Sequence, residues 1–118
     1  EAIQAYDRAI EIDPQYAMAW YNKGKALYDQ GKYDEAIQAF DKAIEIIPQY
    51  SMAWTGKGNA LDDQGKHNEA IQAYDRAIEI DPQYAMAWYN KGVTLKLLGR
   101  TAEADAAFSK ARELGYNE

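Results

Sequence analysis

The spacing of apolar residues along this chain predicts pairs of amphipathic α-helices. One segment carries apolar residues every three or four positions, which would line a broad helical face: Ala36, Ile37, Phe40, Ala43, Ile44 and Ile47. The segment before it has a narrower apolar stripe at i, i+4 and i+7, formed by Trp20, Gly24 and Leu27. Gly31 can adopt the left-handed conformation that ends a helix, and Pro48 stops the second helix from continuing. The pattern therefore predicts a helix, a tight turn and a second helix.

This two-helix pattern returns every 34 residues. The 24 residues from Glu1 to Gly24 are identical to those from Glu69 to Gly92, an offset of two periods. Residues 35–58 match 18 of the same 24 positions. Fixed periods of this length indicate two-helix units that stack on one another and bury a continuous core.

We predict one all-α domain over residues 1–118, an α-solenoid of antiparallel helix pairs. It begins with the second helix of a truncated unit and continues with three complete units: residues 1–16, 17–50, 51–84 and 85–118. The last second helix carries Asp105 and Arg112 where the earlier ones carry isoleucine, which suits a terminal face in contact with water. Because residues 1–12 have no first helix before them, we expect the protein to have further units upstream.

Small and bulky residues that recur at the same period predict how the helices pack. We expect the glycine of each first helix to face an alanine of the paired helix, as Gly24 would face Ala36, so that the two backbones approach closely. We expect each of the three tryptophans, of which Trp20 is the first, to insert into its own helix pair.

The motif W-x-x-K-G-x-x-L from Trp20, followed by A-x-x-x-F from Ala36 and by Ala43 and Pro48, resembles the tetratricopeptide repeat of 34 residues. That family usually has leucine before the glycine, where this chain has Lys23, Lys57 and Lys91. We expect these lysines to pack their stems and extend their ammonium groups into solvent. The resemblance implies a right-handed superhelix whose first helices line a concave groove for extended peptides or partner helices.

The resemblance also assigns groove positions to particular residues. Methionine, tyrosine and asparagine predominate among them, and these side chains offer adaptable apolar contact, rigid aromatic area and amide hydrogen bonds. The predicted groove residues are Met18, Tyr21, Asn22, Lys25, Tyr28, Asp29, Met52, Thr55, Gly56, Asn59, Asp62, Asp63, Met86, Tyr89, Asn90, Val93, Lys96 and Leu97. We interpret the chain as a non-catalytic protein–protein interaction scaffold. The simpler alternative is that these side chains only cover neighbouring helices.

The groove chemistry narrows the class of partner. Family members that bind chaperone tails hold a terminal carboxylate with lysines, an arginine and asparagines, and only Lys25 and Asn90 stand at corresponding positions here. Chaperone-tail binding is therefore not favoured. Asp62 and Asp63 lie in the middle of the predicted groove and favour an apolar-basic segment.

Composition excludes several other functions from the prediction. A net charge of −6 repels phosphate backbones, so we expect no nucleic-acid partner. The sequence has no cysteine, which suits a cytoplasmic location, and no apolar run long enough for a membrane span. His67, the only histidine, is expected near Asp63 across a turn, without a metal ion. No nucleophile–base pair or phosphate-binding loop is present, and we expect no cofactor.

Two other interpretations stay open: a structural solenoid that assembles with copies of itself, and an idealised, designed repeat array. The first generates a prediction, because Ile3, Tyr6 and Ile10 would be left uncovered by a preceding helix. We expect residues 1–12 to mediate self-association, measured by light scattering as an average mass that rises with protein concentration. A constant monomer mass at the highest concentration would contradict it.

Overall fold

The computed structural model describes residues 2–116, and within this range the chain forms seven α-helices and no strand. The helices are α1 (Ala2–Ile12), α2 (Ala17–Asp29), α3 (Tyr33–Ile46), α4 (Ser51–Asp63), α5 (His67–Ile80), α6 (Ala85–Leu97) and α7 (Thr101–Glu113). The all-α prediction is confirmed. Residues 1, 117 and 118, where the predicted domain begins and ends, lie outside the described residues.

Each first helix ends in the same backbone arrangement. After α2, Gly31 has a φ of 78°, and the N–H of Lys32 donates to the carbonyl of Leu27 at 2.9 Å. The N–H of Gly31 donates to the carbonyl of Tyr28, also at 2.9 Å. These two bonds form a Schellman motif, which satisfies carbonyls that the helix end would leave unpaired. The prediction that Gly31 ends the helix in the left-handed conformation is confirmed.

The helices stack as an elongated, curved array. Helices α2, α4 and α6 pair with α3, α5 and α7, and each second helix also packs against the next first helix. The first helices contact one another from α2 to α4 and from α4 to α6, whereas within residues 2–116 the second helices do not. The first helices therefore lie on the inner side of the curve. This packing, over a length of 47 Å and a width of about half that, confirms the solenoid.

The core is organised by aromatic rings packed against glycine. The ring of Phe40, 1% exposed, lies between α2 and α4. A Cβ atom built on Gly24 would lie 2.7 Å from Cε1 of Phe40, and one built on Gly56 would lie 2.6 Å from its Cζ. The nearest neighbour of Gly24 is thus an aromatic ring, which the sequence analysis did not predict. The ring one turn after Ala36 fills the space over the glycine, and the alanine, which is fully buried, keeps the helices close.

The lysines that depart from the family motif do not extend into open solvent. Lys57 places Nζ 2.8 Å from Oδ1 of Asp41 and 5.4 Å from the centroid of the Trp54 ring, and its side chain is 24% exposed. The indole N–H of Trp54 donates to the carbonyl of Pro48 at 3.2 Å. The same contacts recur around Lys23, Asp7 and Trp20 and around Lys91, Asp75 and Trp88.

These contacts join each unit to the one before it, because Asp41 and Pro48 precede the helix that carries Lys57. Trp54 is half-buried and is tied to the preceding turn, so it does more than insert into its own helix pair. Since the aspartates are about half exposed, each ion pair stabilises the junction by only about 0–1 kcal/mol. The cation–π contact adds about 0.5–1 kcal/mol at such a partly exposed site.

The packing of rings against glycine generates a prediction. Gly24→Ala is expected to destabilise the protein by about 1–3 kcal/mol, because Phe40 is held on both sides and cannot move away from the new methyl group. Gly92→Ala is the matched control: it meets Phe108 at 2.7 Å, but that ring is only half-buried in the last helix pair and can shift outward. Urea unfolding measures both variants. Equal losses would contradict the locked position of Phe40.

Candidate functional site

A cavity of about 340 Å³ lies on the inner side of the array. It is formed by α2, α4 and the start of α6, and most of the predicted groove residues of the first two complete units line it. The lining residues are Tyr21, Lys25, Tyr28, Asp29, Phe40, Met52, Thr55, Gly56, Asn59, Tyr84 and Met86. We call this space the groove cavity.

The floor of the groove cavity is aromatic and closely packed. Tyr21 is 8% exposed, with its ring centroid 5.8 Å from that of Phe40 and 5.3 Å from that of Tyr50. Burial, together with the nearby hydroxyls of Tyr84 and Tyr50, raises the pKa of Tyr21 to about 12. Tyr21 is thus a fixed, neutral part of the floor, and only a small part of its surface is accessible to a ligand.

Sequence reasoning missed two lining residues, Tyr84 and Phe40. Tyr84 lies in the turn before α6 and reaches the neighbourhood of Tyr21. Beside it lies Thr55, whose side chain is short and buried. Thr55 occupies the repeat position that Tyr21 occupies one unit earlier. Phe40 borders the cavity because Gly56 has no side chain to cover its ring. The sequence contained a signal for each: Thr55 and Gly56 are small, where the other two units have tyrosine and asparagine.

The rim of the groove cavity carries the accessible side chains. Met52 and Met86 are 44% and 45% exposed. Lys25 is exposed, with Nζ 5.6 Å from the centroid of the Tyr21 ring, and Asp29, one turn later on the same helix, is exposed as well. Apolar contact and both signs of charge are therefore available along one edge.

Asp62 and Asp63 each contact another side chain of the protein, and their partners are different. The hydroxyl of Tyr28 donates to Oδ2 of Asp63 at 2.6 Å, and Nδ1 of His67 lies 2.5 Å from Oδ1 of Asp62. The expected neighbour of His67 was Asp63, which is wrong because Asp63 turns toward α2. Burial, reinforced by Asp63, raises the pKa of Tyr28 well above its usual value. Among residues 2–116, no three histidine or carboxylate side chains gather where they could hold a metal ion.

Two of the predicted asparagines, Asn59 and Asn90, belong to a structural network. The Tyr74 hydroxyl donates to Oδ1 of Asn59 at 2.7 Å, and Nδ2 of Asn90 donates to the same oxygen at 3.1 Å. This network joins α5, α4 and α6. Burial of the Tyr74 ring, with Asp62 nearby, raises its pKa far above the usual value. Asn59 borders the groove cavity, but its amide oxygen already accepts two hydrogen bonds.

The remaining predicted residues lie elsewhere. Tyr89, Val93, Lys96 and Leu97 border a second cavity of about 700 Å³ at the open side of the last helix pair. Tyr116 stacks on Tyr89 there, with centroids 4.5 Å apart. Met18 and Asn22 border neither cavity. The structure thus brings most of the predicted residues of the first two units together with Met86 of the third, and places Tyr89, Val93, Lys96 and Leu97 in a separate cavity.

Family models match the chain along most of its length. They describe a tetratricopeptide repeat or TPR repeat and match residues 17–50, residues 1–31 with 58–99, residues 39–72 and residues 85–114. A curated relative, an uncharacterized protein of Methanocaldococcus jannaschii, is 43% identical over 35 residues, which are 30% of this chain and 41% of that protein.

Solved structures of MamA share the fold. Two of them superpose with TM-scores of 0.87 and 0.85 at 30% identity and cover 95% of this chain. The chain spans 66% and 61% of those two MamA chains, so it corresponds to less than two thirds of each. The MamA RS-1 ArsTM double mutant, with a TM-score of 0.84 and 23% identity, supports the fold alone. In the described part of the chain, no helix has the length and apolar character needed to cross a membrane.

The buried floor of the groove cavity predicts a loss of stability at high pH. An unfolded tyrosine ionises near pH 10, whereas the pKa of Tyr21 in the fold is about 12. The folded state therefore keeps a proton that the unfolded state releases, and the stabilisation is complete below pH 10 and lost as the pH rises through 12. Tyr21→Phe is expected to lose less stability than the unmodified protein between pH 8 and pH 11. Urea unfolding at both pH values measures this, and equal losses would contradict the raised pKa.

Proposed function

This chain belongs to the tetratricopeptide repeat family and is a protein-interaction scaffold in that general sense; from this premise we propose that its groove cavity binds a short segment of another protein. The segment carries an apolar side chain next to a basic one. It binds as an extended peptide or one side of a partner helix, and the scaffold performs no catalysis.

The observation that carries the proposal is the combination of an aromatic floor with an exposed methionine rim. Tyr21 and Phe40 are fixed by packing, while Met52 and Met86 stand above them and remain nearly half exposed. Exposed methionines gain little for the free protein, because their apolar surface stays in water. They gain contact when an apolar side chain enters, and their flexible stems adapt to its shape.

Charge sets the second feature of the proposed partner. Asp29 and Lys25 lie on the rim, and the hydroxyl of Tyr28, which also lines the groove cavity, donates to the carboxylate of Asp63. A basic side chain placed on this rim would meet the carboxylate of Asp29. An acidic neighbour on the same segment would meet Lys25.

The proposal has further parts. The second cavity, bordered by Tyr89, Val93, Lys96 and Leu97, extends the binding surface for a longer segment, and Asn59 and Asn90 position the floor.

The division into residues 1–16, 17–50, 51–84 and 85–118 is also proposed, as is a cytoplasmic location, which rests on the absence of cysteine.

A second candidate function is assembly with further copies through residues 1–12. It is favoured by α1, none of whose described residues is buried.

The groove proposal predicts how variants select peptides. Purified protein is probed with a random library of short peptides, and we expect enrichment of an apolar residue beside lysine or arginine. Met52→Glu should weaken binding of the enriched peptides by about tenfold, because it places a carboxylate against their apolar residue. Glutamate near a helix N-terminus is well tolerated, so folding should be preserved.

The control and a second variant make the test specific. Gln38→Glu adds the same charge on the exposed outer side of α3 and should leave binding unchanged. Asp29→Lys should shift the preference from basic to acidic peptides. No enrichment, or equal effects of Met52→Glu and Gln38→Glu, would overturn the groove proposal.

A further inference from the structure

The middle first helix, α4, has the smallest side chains on the inner side of the array. Its residues 55 and 56 are threonine and glycine, both of which line the groove cavity. The corresponding positions of α2 and α6 hold tyrosine and asparagine: Tyr21 with Asn22, and Tyr89 with Asn90. The groove cavity therefore lies where one unit lacks a tyrosine ring and an asparagine side chain that the other two units have.

The other two units show how a ring at this position packs. In α2, the centroid of the Tyr21 ring lies 5.8 Å from that of Phe40 and 5.3 Å from that of Tyr50. In α6, the Tyr89 ring likewise packs against two aromatic rings, at centroid distances of 5.4 Å and 4.5 Å. Each of these tyrosines thus joins an aromatic cluster, a contact that Thr55 cannot make.

Tyr84 is the aromatic residue left beside the missing ring. It holds the repeat position of Tyr50, in the turn before the next first helix, but the side chain beside it is Thr55. Its ring is half-buried, and its hydroxyl lies 3.9 Å from Sδ of Met86. Tyr84 does not fill the space, because the cavity of about 340 Å³ remains with Tyr84 as part of its wall.

The walls of this space favour an aromatic side chain over an aliphatic one. Phe40 and Tyr84 are both rings, and aromatic pairs gain from offset or edge-to-face contact in addition to the area that they bury. The thioethers of Met52 and Met86 on the rim contact ring edges favourably. The Thr55 hydroxyl already donates to a backbone carbonyl one turn earlier, at 3.1 Å, so it needs no polar partner from a ligand. An aliphatic side chain would fill the space without these ring contacts.

The charges on the rim suit an aromatic residue with a basic neighbour. Nζ of Lys25 lies 5.6 Å from the centroid of the Tyr21 ring, within the range of a cation–π contact, and Lys25 lines the cavity. A second ring in the cavity would give this ammonium group another aromatic partner. Asp29, one turn later on the same helix, is exposed and can pair with a cation next to the ring.

We propose that the groove cavity binds one aromatic side chain of the partner segment, phenylalanine, tyrosine or tryptophan, with lysine or arginine next to it. The partner's ring supplies the aromatic contact that a tyrosine supplies in the other two units, and Thr55 and Gly56 make the middle unit selective for it. A volume of about 340 Å³ is near the lower end of the range of about 300–1,000 Å³ for ligand pockets, which suits one large side chain. This inference rests on the proposed function of the groove cavity and specifies the apolar residue that it selects.

Selection from peptide libraries separates this inference from the groove proposal. Six libraries of short peptides carry Phe, Tyr, Trp, Leu, Ile or Met at the central position, and their other positions are random among small, polar and charged residues. We expect the aromatic libraries to yield peptides that bind at least about tenfold more tightly than those of the other three. Equal or tighter binding from the Leu, Ile or Met library would overturn the aromatic preference and leave the groove proposal standing. No binding from any library would overturn both.

The three methionines report where the ring binds in the unmodified protein. Met52 and Met86 border the groove cavity, whereas Met18, at the same repeat position on α2, borders neither cavity and is the internal control. With methyl-labelled methionine, we expect the best aromatic peptide to shift the NMR signals of Met52 and Met86, because ring currents displace the resonances of nearby nuclei. The same peptide with leucine in place of the aromatic residue should give smaller shifts at saturation. Saturable binding without shifts at Met52 and Met86 would contradict the location.

A variant that restores the ring tests the role of Thr55. Thr55→Tyr is expected to fold, because tyrosine holds this position in α2 and α6, and urea unfolding checks it. It should weaken the binding of aromatic peptides by at least about tenfold, because the new ring takes the aromatic contacts of the ligand. Gln38→Tyr, the matched control, adds the same ring on the exposed outer side of α3 and should leave binding unchanged. Undiminished binding by folded Thr55→Tyr, or equal losses in both variants, would refute the assignment; if Thr55→Tyr does not fold, the methionine shifts decide.

Discussion

The close approach of an aromatic ring to a glycine backbone is the contact on which this structure depends. Phe40 lies against Gly24 of its own unit and Gly56 of the next, so one ring sets the distance within a helix pair and between two units. A side chain at either glycine would press on the ring and separate the helices, because the ring is nearly inaccessible and is in contact with both glycines. The buried alanines and the Lys–Asp–Trp contacts at the junctions adjust a spacing that the ring already determines.

The identity of the ring is matched to what surrounds it. Phe40 has no hydroxyl and meets Gly56, which offers no side-chain acceptor. Tyr74 has a hydroxyl and meets Asn59, which Asn90 also contacts. A buried hydroxyl without an acceptor would be costly. The change from phenylalanine to tyrosine therefore goes together with the asparagine that accepts the hydroxyl. The same exchange shapes the groove cavity: Gly56 has no side chain to cover the Phe40 ring, which therefore forms part of the cavity wall, whereas Tyr74 is hydrogen-bonded to Asn59, which Asn90 also contacts.

Periodicity predicted the fold because a 34-residue repeat leaves few ways to bury the apolar face of each helix. It also predicted the left-handed turn at Gly31, which depends on a single residue. Contacts across helices were harder to predict, because a helical pattern gives the direction of a side chain and not its reach. Phe40 rather than Ala36 lies over the glycine, and Lys57 reaches Asp41 and Trp54 instead of solvent. Tyr84 was missed since it lies in a turn, where the pattern carries no direction.

The duplicated block separates what builds the array from what distinguishes its surfaces. Within the block, identical residues have different environments, as Tyr6 and Tyr74 do, so burial follows from the neighbouring helix and not from the residue alone. Just after the block the copies diverge, from Lys25 in the first to Val93 in the second, and these positions border two different cavities. Each junction between units must bury the same kind of apolar surface, so a stacked array repeats the residues of its junctions. The inner surface is under no such constraint, and the residues that select a partner can vary there without loss of the fold.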